Sequence, residues 1–350
     1  MASEQPKAVV IGYGYAGRAF HSYLIGLASG LELHGVASRN PETRARIVRE
    51  RRCRAYESFE QVIADPAVDL VVLATPNGQH APLAIRALDA GKHVVTDKPM
   101  CLNLAECDAM ITAAQRNGKV LSVFQNRRWD GDFLTLRRLL AEGRLGDLRW
   151  LEMAWLSKRP PRGWRGSAGS GGGRLFDLGA HMLDQTLLVF PQAVTSVYCR
   201  IHHDYPGQDV ESHAMLVLGF AHGATAVIDA GGMHLSSKPR MQAFGTTGSF
   251  VKHGLDPQEA AMNRGDIDSA VEPPGNQGKL FTADGEQVVP TVPGRWRNYY
   301  EMIAAQIQGR ATAVAPVRIE ESRRVMAVFD VAWESARTGQ AVRTEIDGVK

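Results

Sequence analysis

The stretch AVVIGYGYAGRAF, residues 8 to 20, decides the fold. Its four apolar residues, Ala8 to Ile11, run into Gly12, Gly14 and Gly17, which stand in a GxGxxG spacing at the start of a helical pattern. Gly12 permits a tight turn, Gly14 lets the backbone approach a pyrophosphate, and Gly17 lets the helix pack closely on the strand. The helix N-terminus adds N–H donors and a positive dipole. Three glycines at this spacing are a weak signal by themselves. Between a strand and a helix, in the first βαβ unit, they read as a dinucleotide-binding loop, with Tyr13, Tyr15 and Ala16 among its cofactor contacts.

The pattern extends outward from this loop. Candidate strands are Ala8 to Gly12, Leu31 to Ser38, Val68 to Thr75, His93 to Thr96 and Val120 to Phe124, each followed by an amphipathic stretch long enough to cross over. Runs such as VDLVVLAT suit strands buried on both faces, as in a parallel sheet. Residues 1–126 therefore read as a Rossmann domain, an α/β doubly wound parallel sheet.

The strand ends carry the binding candidates. After the second strand come Ser38, Arg39 and Asn40, where a binder of the unphosphorylated cofactor usually places an acid. A hydroxyl and a guanidinium suit a 2′-phosphate better, so NADP is favoured and NAD stays possible. The alternative for Arg39 is a solvated arginine or one stacked on adenine. At TPNGQH, Thr75, Asn77 and His80 lie at the carboxyl edge as cofactor contacts, with turn and cap roles as the alternative. In TDKPM, Pro99 restricts the backbone of Lys98, which is expected to face the nicotinamide.

After Asn126 the character changes. A helix from Asp132 to Glu142 leads to the strand pattern LRWLEMAWLS, then to the loop KRPPRGWRGSAGSGGG and a helix in GGGRLFDLGAHMLDQ, residues 171 to 185. The strands AVTSVYCRIHH, HAMLVLGF, ATAVIDAGG and RMQAFGTTG follow with mostly turns between them, which suggests a large, mostly antiparallel sheet. Residues 256–294 read as an excursion with one hairpin turning at Asp284-Gly285. Helices Asn298 to Gln308 and Glu320 to Thr338 finish the chain, the last able to pack on either domain. Residues 127–350 thus read as a C-terminal α/β domain, expected to carry the substrate side.

Within that domain, Asp177, His181 and Asp184 fall on one face of a largely apolar helix, inside an arc of roughly 60° at about 100° per residue. Buried carboxylates and imidazoles need partners, so the stripe is either a satisfied structural network or the lining of a cavity. If the second domain closes over the nicotinamide, His181 can take a hydroxyl proton, Asp177 can orient it, and Lys98 can stabilise the alkoxide. Whether Asp184 joins them or braces the helix is open. Zinc would normally recruit a second His or Cys at recognisable spacing, and none is evident, so no metal is expected. Arg127, Trp129 and Trp164 border the cleft, where an indole face beside polar donors suits a ring polyol or sugar; ordinary packing is the alternative. The basic residues Lys158, Arg159, Arg162 and Arg165 read an acidic sugar or face water.

Composition sets bounds on the rest. A length of 350 residues fits two domains, and 22% charged with 44% hydrophobic residues is usual for a soluble globular chain. The net charge is +3, with signs interspersed, which points to no nucleic acid and no membrane surface. The start, MASEQPKAVVIGYG, passes from a polar lead into a strand with no signal-peptide pattern, and no run approaches a membrane span. The cysteines Cys53, Cys101, Cys107 and Cys199 show no metal spacing and are expected to be reduced, so a cytoplasmic location is expected.

Together, GYGYAG, TPNGQH, DKP in place of EKP, and GGG-x-L-x-D-x-G-x-H-x-x-D resemble the Gfo/Idh/MocA family of nicotinamide-dependent oxidoreductases, over nearly the whole chain. The stretches IGYGYAGRAFHSYLI, VLSVFQNRRWDGDFLTL and VKHGLDPQE look like the branch that contains bacterial NADP-dependent scyllo-inositol dehydrogenases. The resemblance implies a Rossmann domain followed by an α/β domain whose sheet packs face to face in homodimers or homotetramers. It maps the family's lysine onto Lys98, and its Asp and acid/base His onto Asp177 and His181. Asp97 replaces the motif's Glu with a shorter side chain, which leaves that contact to cofactor or backbone open. The implied activity interconverts a secondary hydroxyl and a ketone on a cyclic polyol or sugar. The rivals are a sugar dehydrogenase of other specificity, a glycosidase using transient oxidation, and a non-catalytic nicotinamide sensor.

Overall fold

The computed structural model describes residues 5–310 and 313–349; the first four residues of the polar lead lie outside them. The chain divides into two compact units, one of residues 1–125 with 296–323, the other of 126–295 with 324–350. The expected boundary at 126 kept everything after it together, whereas the segment 296–323 belongs with the first unit.

In the first unit the strands are β1 (Lys7–Ile11), β2 (Glu32–Ala37), β3 (Arg54–Tyr56), β4 (Leu70–Leu73), β5 (His93–Thr96) and β6 (Leu121–Val123). They form one sheet in the order β3-β2-β1-β4-β5-β6, with every ladder parallel. The helices are α1 (Ser22–Leu27), α2 (Pro41–Arg51), α3 (Phe59–Ala64), α4 (His80–Asp89) and α5 (Leu104–Asn117). Each residue of β4 is buried, as its unbroken apolar run requires. The strand order reverses between β1 and β4, where the glycine loop sits. β3 escaped the sequence reading because it has only three residues.

The second unit carries α6 (Gly131–Ala141), β7 (Leu148–Leu156), α7 (Ala180–Val189), β8 (Val194–His202), β9 (His213–Phe220), β10 (Thr225–Gly231), β11 (Met241–Gly245), β12 (Gly248–Lys252), α8 (Gln258–Asn263), β13 (Gly278–Thr282) and β14 (Gly285–Val289). Helix α9 (Asn298–Ile307) lies in the first unit, α10 (Ile319–Thr338) starts there and ends in the second, and β15 (Val342–Ile346) ends the described chain. The nine-stranded sheet runs β14-β13-β12-β11-β7-β10-β9-β8-β15, antiparallel except where β7 meets β10. The helices expected to finish the chain are therefore followed by an edge strand. One sheet face is core, with Leu151, Ala226, Leu218, Ala243 and Phe250 fully buried. Arg324 of α10 closes the carboxyl end of α7, donating to the Leu187 and Phe190 carbonyls at 2.9 and 3.0 Å. No helix among the described residues is long and apolar enough to cross a membrane.

His93 opens β5, the strand that leads to Lys98, and its Nδ1 accepts from the Val120 backbone N–H at 2.9 Å. Burial first, then the Lys119 ammonium, pushes the imidazole down to about 4. A protonated ring gives up that acceptor. The stability His93 contributes is thus complete above its ordinary value of about 6.5 and is lost as pH falls through the folded value. Melts from pH 7 to 4 should show a decline that His93→Asn flattens by about 1–2 kcal/mol, allowing for solvent screening. An unchanged pH profile in the variant would exclude the titration.

Candidate active site

The dinucleotide end is built by steric limits on the glycine loop. Gly12 has φ +99°, and a Cβ there would lie 2.6 Å from the Ala74 carbonyl oxygen. A Cβ on Gly17 would strike the Gly12 carbonyl oxygen, whereas one on Gly14 would meet nothing within 4 Å. Two glycines therefore close the turn, and the middle one leaves open the approach that a pyrophosphate needs. Beside them is a cavity of about 390 Å³ lined by Gly12, Ser38, Arg39, Thr75, Phe59 and Gln79, with Glu57 and Glu60 at its wall. Each acid is paired, Glu57 with Arg44 and Glu60 with Arg86, at 3.2 and 3.0 Å. Arg44 also donates to the Ser38 and Arg39 carbonyls at 3.1 and 3.0 Å, fixing the loop that presents Arg39. These residues fit a nicotinamide dinucleotide: a turn open to pyrophosphate, and a cavity past β2 with Arg39 in its lining.

The other expected cofactor contacts divide. Tyr15 is 46% exposed, and Ala16 begins a π-helical turn, Ala16–His21. Tyr13 is turned into the fold, its hydroxyl donating to Glu50 at 2.9 Å and its ring lying under Arg46. Asn77 is buried in a short 3₁₀ turn, Asn77–Gln79. His80 is fully buried, with its ring nitrogens 2.9 and 3.1 Å from the carbonyls of Pro99 and Thr75. It braces the ends of β4 and β5 from behind, and burial lowers its basicity.

Lys98 is half-buried and precedes Pro99 through a cis peptide bond. Its own N–H donates to Asp97 Oδ1 at 2.8 Å, and Asp97 Oδ2 lies 3.6 Å from His21 Nε2. The far nitrogen of His21 is 2.6 Å from the Tyr300 hydroxyl. Burial alone would raise the Asp97 carboxyl, but the His21 ring, and then the charges of Lys98 and His80, hold it well below the usual carboxylate range. Asp97 thus faces the backbone of Lys98 and His21. Sequence reasoning missed His21 and Tyr300; the only signal was a histidine on the packed side of the first helical stretch.

In the second unit, Glu211 is buried behind the glycine run and accepts from the Leu175 backbone N–H at 2.6 Å. Gly173, φ +103°, leaves room for it, since a Cβ would strike that carboxylate. Burial raises the Glu211 carboxyl. A π-helical turn, Leu175–Gly179, then carries Asp177 before α7 begins. The wider turn breaks the uniform angular step assumed from sequence, and the polar stripe splits. Asp177 Oδ1 accepts from Arg165 at 3.2 Å, and Oδ2 lies 3.6 Å from Arg174. Asp184, 2% exposed, takes both arms of Arg128, Nε at 2.8 Å and Nη2 at 2.6 Å. Asp184 braces the helix.

His181 is 7% exposed and stacks on Trp155, ring centroids 6.1 Å apart and planes 27° from parallel. Arg127, expected beside the substrate, is buried and ion-paired with Asp130 and Glu259 at 3.2 and 2.8 Å. Trp164 lies in a 3₁₀ turn under the Arg165 guanidinium, 4.6 Å from its ring centroid. The carbonyl of Trp129 accepts from Arg295 and Gln258. Lys158, Arg159 and Arg162 are exposed. Among the described residues, no group of three or more His, Cys, Asp or Glu is placed to hold a metal, and all four cysteines are free thiols.

Removing one partner of a buried ion pair leaves the other charge uncompensated. Arg128→Met or Asp184→Asn is expected to cost about 3–5 kcal/mol in urea unfolding, and Arg128→Met with Asp184→Leu less than the sum. Additive losses in the double variant would show that the pair is not coupled.

A family model described as an oxidoreductase family with an NAD-binding Rossmann fold matches residues 7–125, and the Gfo/Idh/MocA C-terminal domain matches residues 133–251. The scyllo-inositol 2-dehydrogenase (NADP(+)) IolW of Bacillus subtilis (strain 168) is 32% identical over 97% of this chain and 96% of its own. An uncharacterized oxidoreductase of Escherichia coli (strain K12), YdgJ, is 35% identical over 96% of this chain and 97% of its own. The structure of a putative oxidoreductase, yvaA, from Bacillus subtilis superposes with a TM-score of 0.90 at 30% identity, covering 99% of this chain and all of the other. With a parallel Rossmann sheet, a mostly antiparallel second sheet and relatives matched along nearly their full length, the chain belongs to the Gfo/Idh/MocA family of oxidoreductases.

Proposed function

We propose that this oxidoreductase uses NADP(H) to interconvert a secondary hydroxyl and a ketone on a cyclic polyol or sugar, with scyllo-inositol the leading substrate. The observation that carries the reading is the division of roles along the helix: Asp184 is taken up by the buried Arg128, while Asp177 sits between two arginines in the preceding turn and His181 stands against the Trp155 ring. His181 takes the hydroxyl proton during oxidation and returns it during reduction. Asp177 supports it from the preceding turn, and Lys98 stabilises the negative charge that develops on the substrate oxygen. The bound nicotinamide supplies the two-electron acceptor. Trp164 and Arg127 belong to the substrate side in this reading, Arg127 from its buried pair.

The preference for NADP rests on Arg39. The two carboxylates of the cavity wall are already matched by Arg44 and Arg86, so Arg39 gives that wall a net positive charge for a 2′-phosphate. The name of the Bacillus subtilis relative supports both the cofactor and the substrate. A homodimer or homotetramer is part of the same reading. Trp150, Phe244 and Phe281, all 36–38% exposed, lie in one cross-strand row on the sheet face opposite the core.

Initial rates with NADP and NAD against scyllo-inositol, myo-inositol and a panel of sugars test the proposal. NADP-dependent turnover of scyllo-inositol above the rest is expected, and its absence with every polyol overturns the substrate class. His181→Ala should lower kcat by about 10²–10⁴ while leaving NADP affinity within a factor of two or so; equal losses in both would remove the proton-transfer role. Arg39→Ala should weaken NADP binding roughly tenfold more than NAD binding, and an unchanged ratio would remove the phosphate argument.

A further inference from the structure

Trp155 stands at the centre of a closed circuit of buried polar groups. Its indole lies 4.3 Å from the Arg127 guanidinium carbon and 5.2 Å from that of Arg240, and it stacks on His181. Both arginines are themselves held. Arg127 is fixed by its two carboxylates, and Arg240 lies 3.5 Å from Asp132. Arg240 also grips the residue before the tryptophan from both sides: its carbonyl accepts from Ala154 N–H at 3.1 Å, and its Nη1 donates to the Ala154 carbonyl at 3.3 Å. Gln185 closes the circuit, donating to the Arg127 carbonyl at 2.6 Å and accepting from Arg240 at 3.4 Å. It lies one helical turn after His181, so the groups that fix the indole also fix the helix that carries the imidazole.

We infer that Trp155 is the positioning residue for His181: the indole is clamped by Arg127, Arg240 and Gln185 so that it presents a fixed aromatic face against which the imidazole ring is set. This rests on the proton-transfer role proposed for His181. Physical chemistry supports the arrangement. A near-parallel pair at this centroid distance lies within the range of favourable offset stacking. When His181 takes a proton, the indole face attracts the new cation, while two neighbouring guanidiniums oppose it. The ring is thereby held in one plane and in an environment set by groups that do not move during the reaction. Every partner named in this circuit belongs to the second unit, so the effect expected of a change at Trp155 is on His181.

The test is histidine NMR on the full-length protein with ¹³C at the imidazole Cε1 positions. Eleven histidines are present, and His181 is assigned by the signal missing from His181→Ala. In Trp155→Leu the midpoint of the His181 titration should move while those of the other histidines hold, and Trp155→Phe should give a smaller displacement in the same direction. Turnover of the best polyol should fall roughly tenfold or more in Trp155→Leu at nearly unchanged KM for NADP. A His181 signal that titrates in Trp155→Leu as in the wild type overturns the proposal, whatever the rate. Where Trp155→Leu does not fold, Trp155→Phe carries the test, and an unmoved midpoint there has the same meaning. Full turnover in His181→Ala would instead overturn the role of His181, and with it any positioning by Trp155.

Discussion

Asp184 and Arg128 meet through two hydrogen bonds in the interior of the second unit, and the layout of that unit follows from what it costs to bury either alone. An isolated carboxylate or guanidinium at this depth is prohibitive, and a well-oriented pair is tolerable. The pair ties the 3₁₀ turn around Arg128 to the middle of α7 and so fixes the helix in register. The same turn supplies Arg127, whose ion pairs and contact with Trp155 continue the network to the face where His181 lies. Glu211 sets the amino end of the segment, and Arg324 its carboxyl end. One helix is thus held at both ends and in the middle, which suits a side chain whose orientation decides its chemistry.

The first unit solves a different problem with similar means. Its glycine loop must be tight against β4 yet open on the side that receives a pyrophosphate, and only the spacing Gly12, Gly14 and Gly17 satisfies both. Behind the edge that bears Lys98, His21, Tyr300 and His80 form a buried polar layer around Asp97 and the strand ends. The short side chain of Asp97 suits this layer: the carboxylate reaches the N–H of Lys98 while remaining within ion-pair distance of His21. The backbone of Lys98 is thereby anchored next to its own side chain.

Much of this was legible in the sequence where signals are local. GYGYAG and VDLVVLAT identify the parallel domain, and HAMLVLGF, read as a strand, is β9 over its full length. The strands that escaped notice are short or exposed: β3 has three residues, β12 has five and follows β11 directly through a turn, and β15 has no buried side chain to betray it. The partner of Asp184 could not be read, because 56 residues separate it from Arg128 and pairing across that distance is set by the tertiary fold. Nor does the sequence announce a π turn, so the stripe of Asp177, His181 and Asp184 looked uniform when its members serve different partners. Trp155 passed as an ordinary strand residue in LRWLEMAWLS. Arg127, Arg240 and the helix of His181 and Gln185 reach it from three separate segments, and only the folded chain brings them together.

The proposed reaction moves a carbon-bound hydrogen from a polyol to a phosphorylated nicotinamide. The most direct measurement is deuterium transfer: incubation of the protein with NADP and scyllo-inositol carrying deuterium on its ring carbons, followed by mass spectrometry of the recovered cofactor. Reduced cofactor one mass unit heavier than that formed from unlabelled substrate is expected, together with the inosose ketone. Recovery of NADP unreduced, or of reduced cofactor without the label, would contradict the proposed reaction.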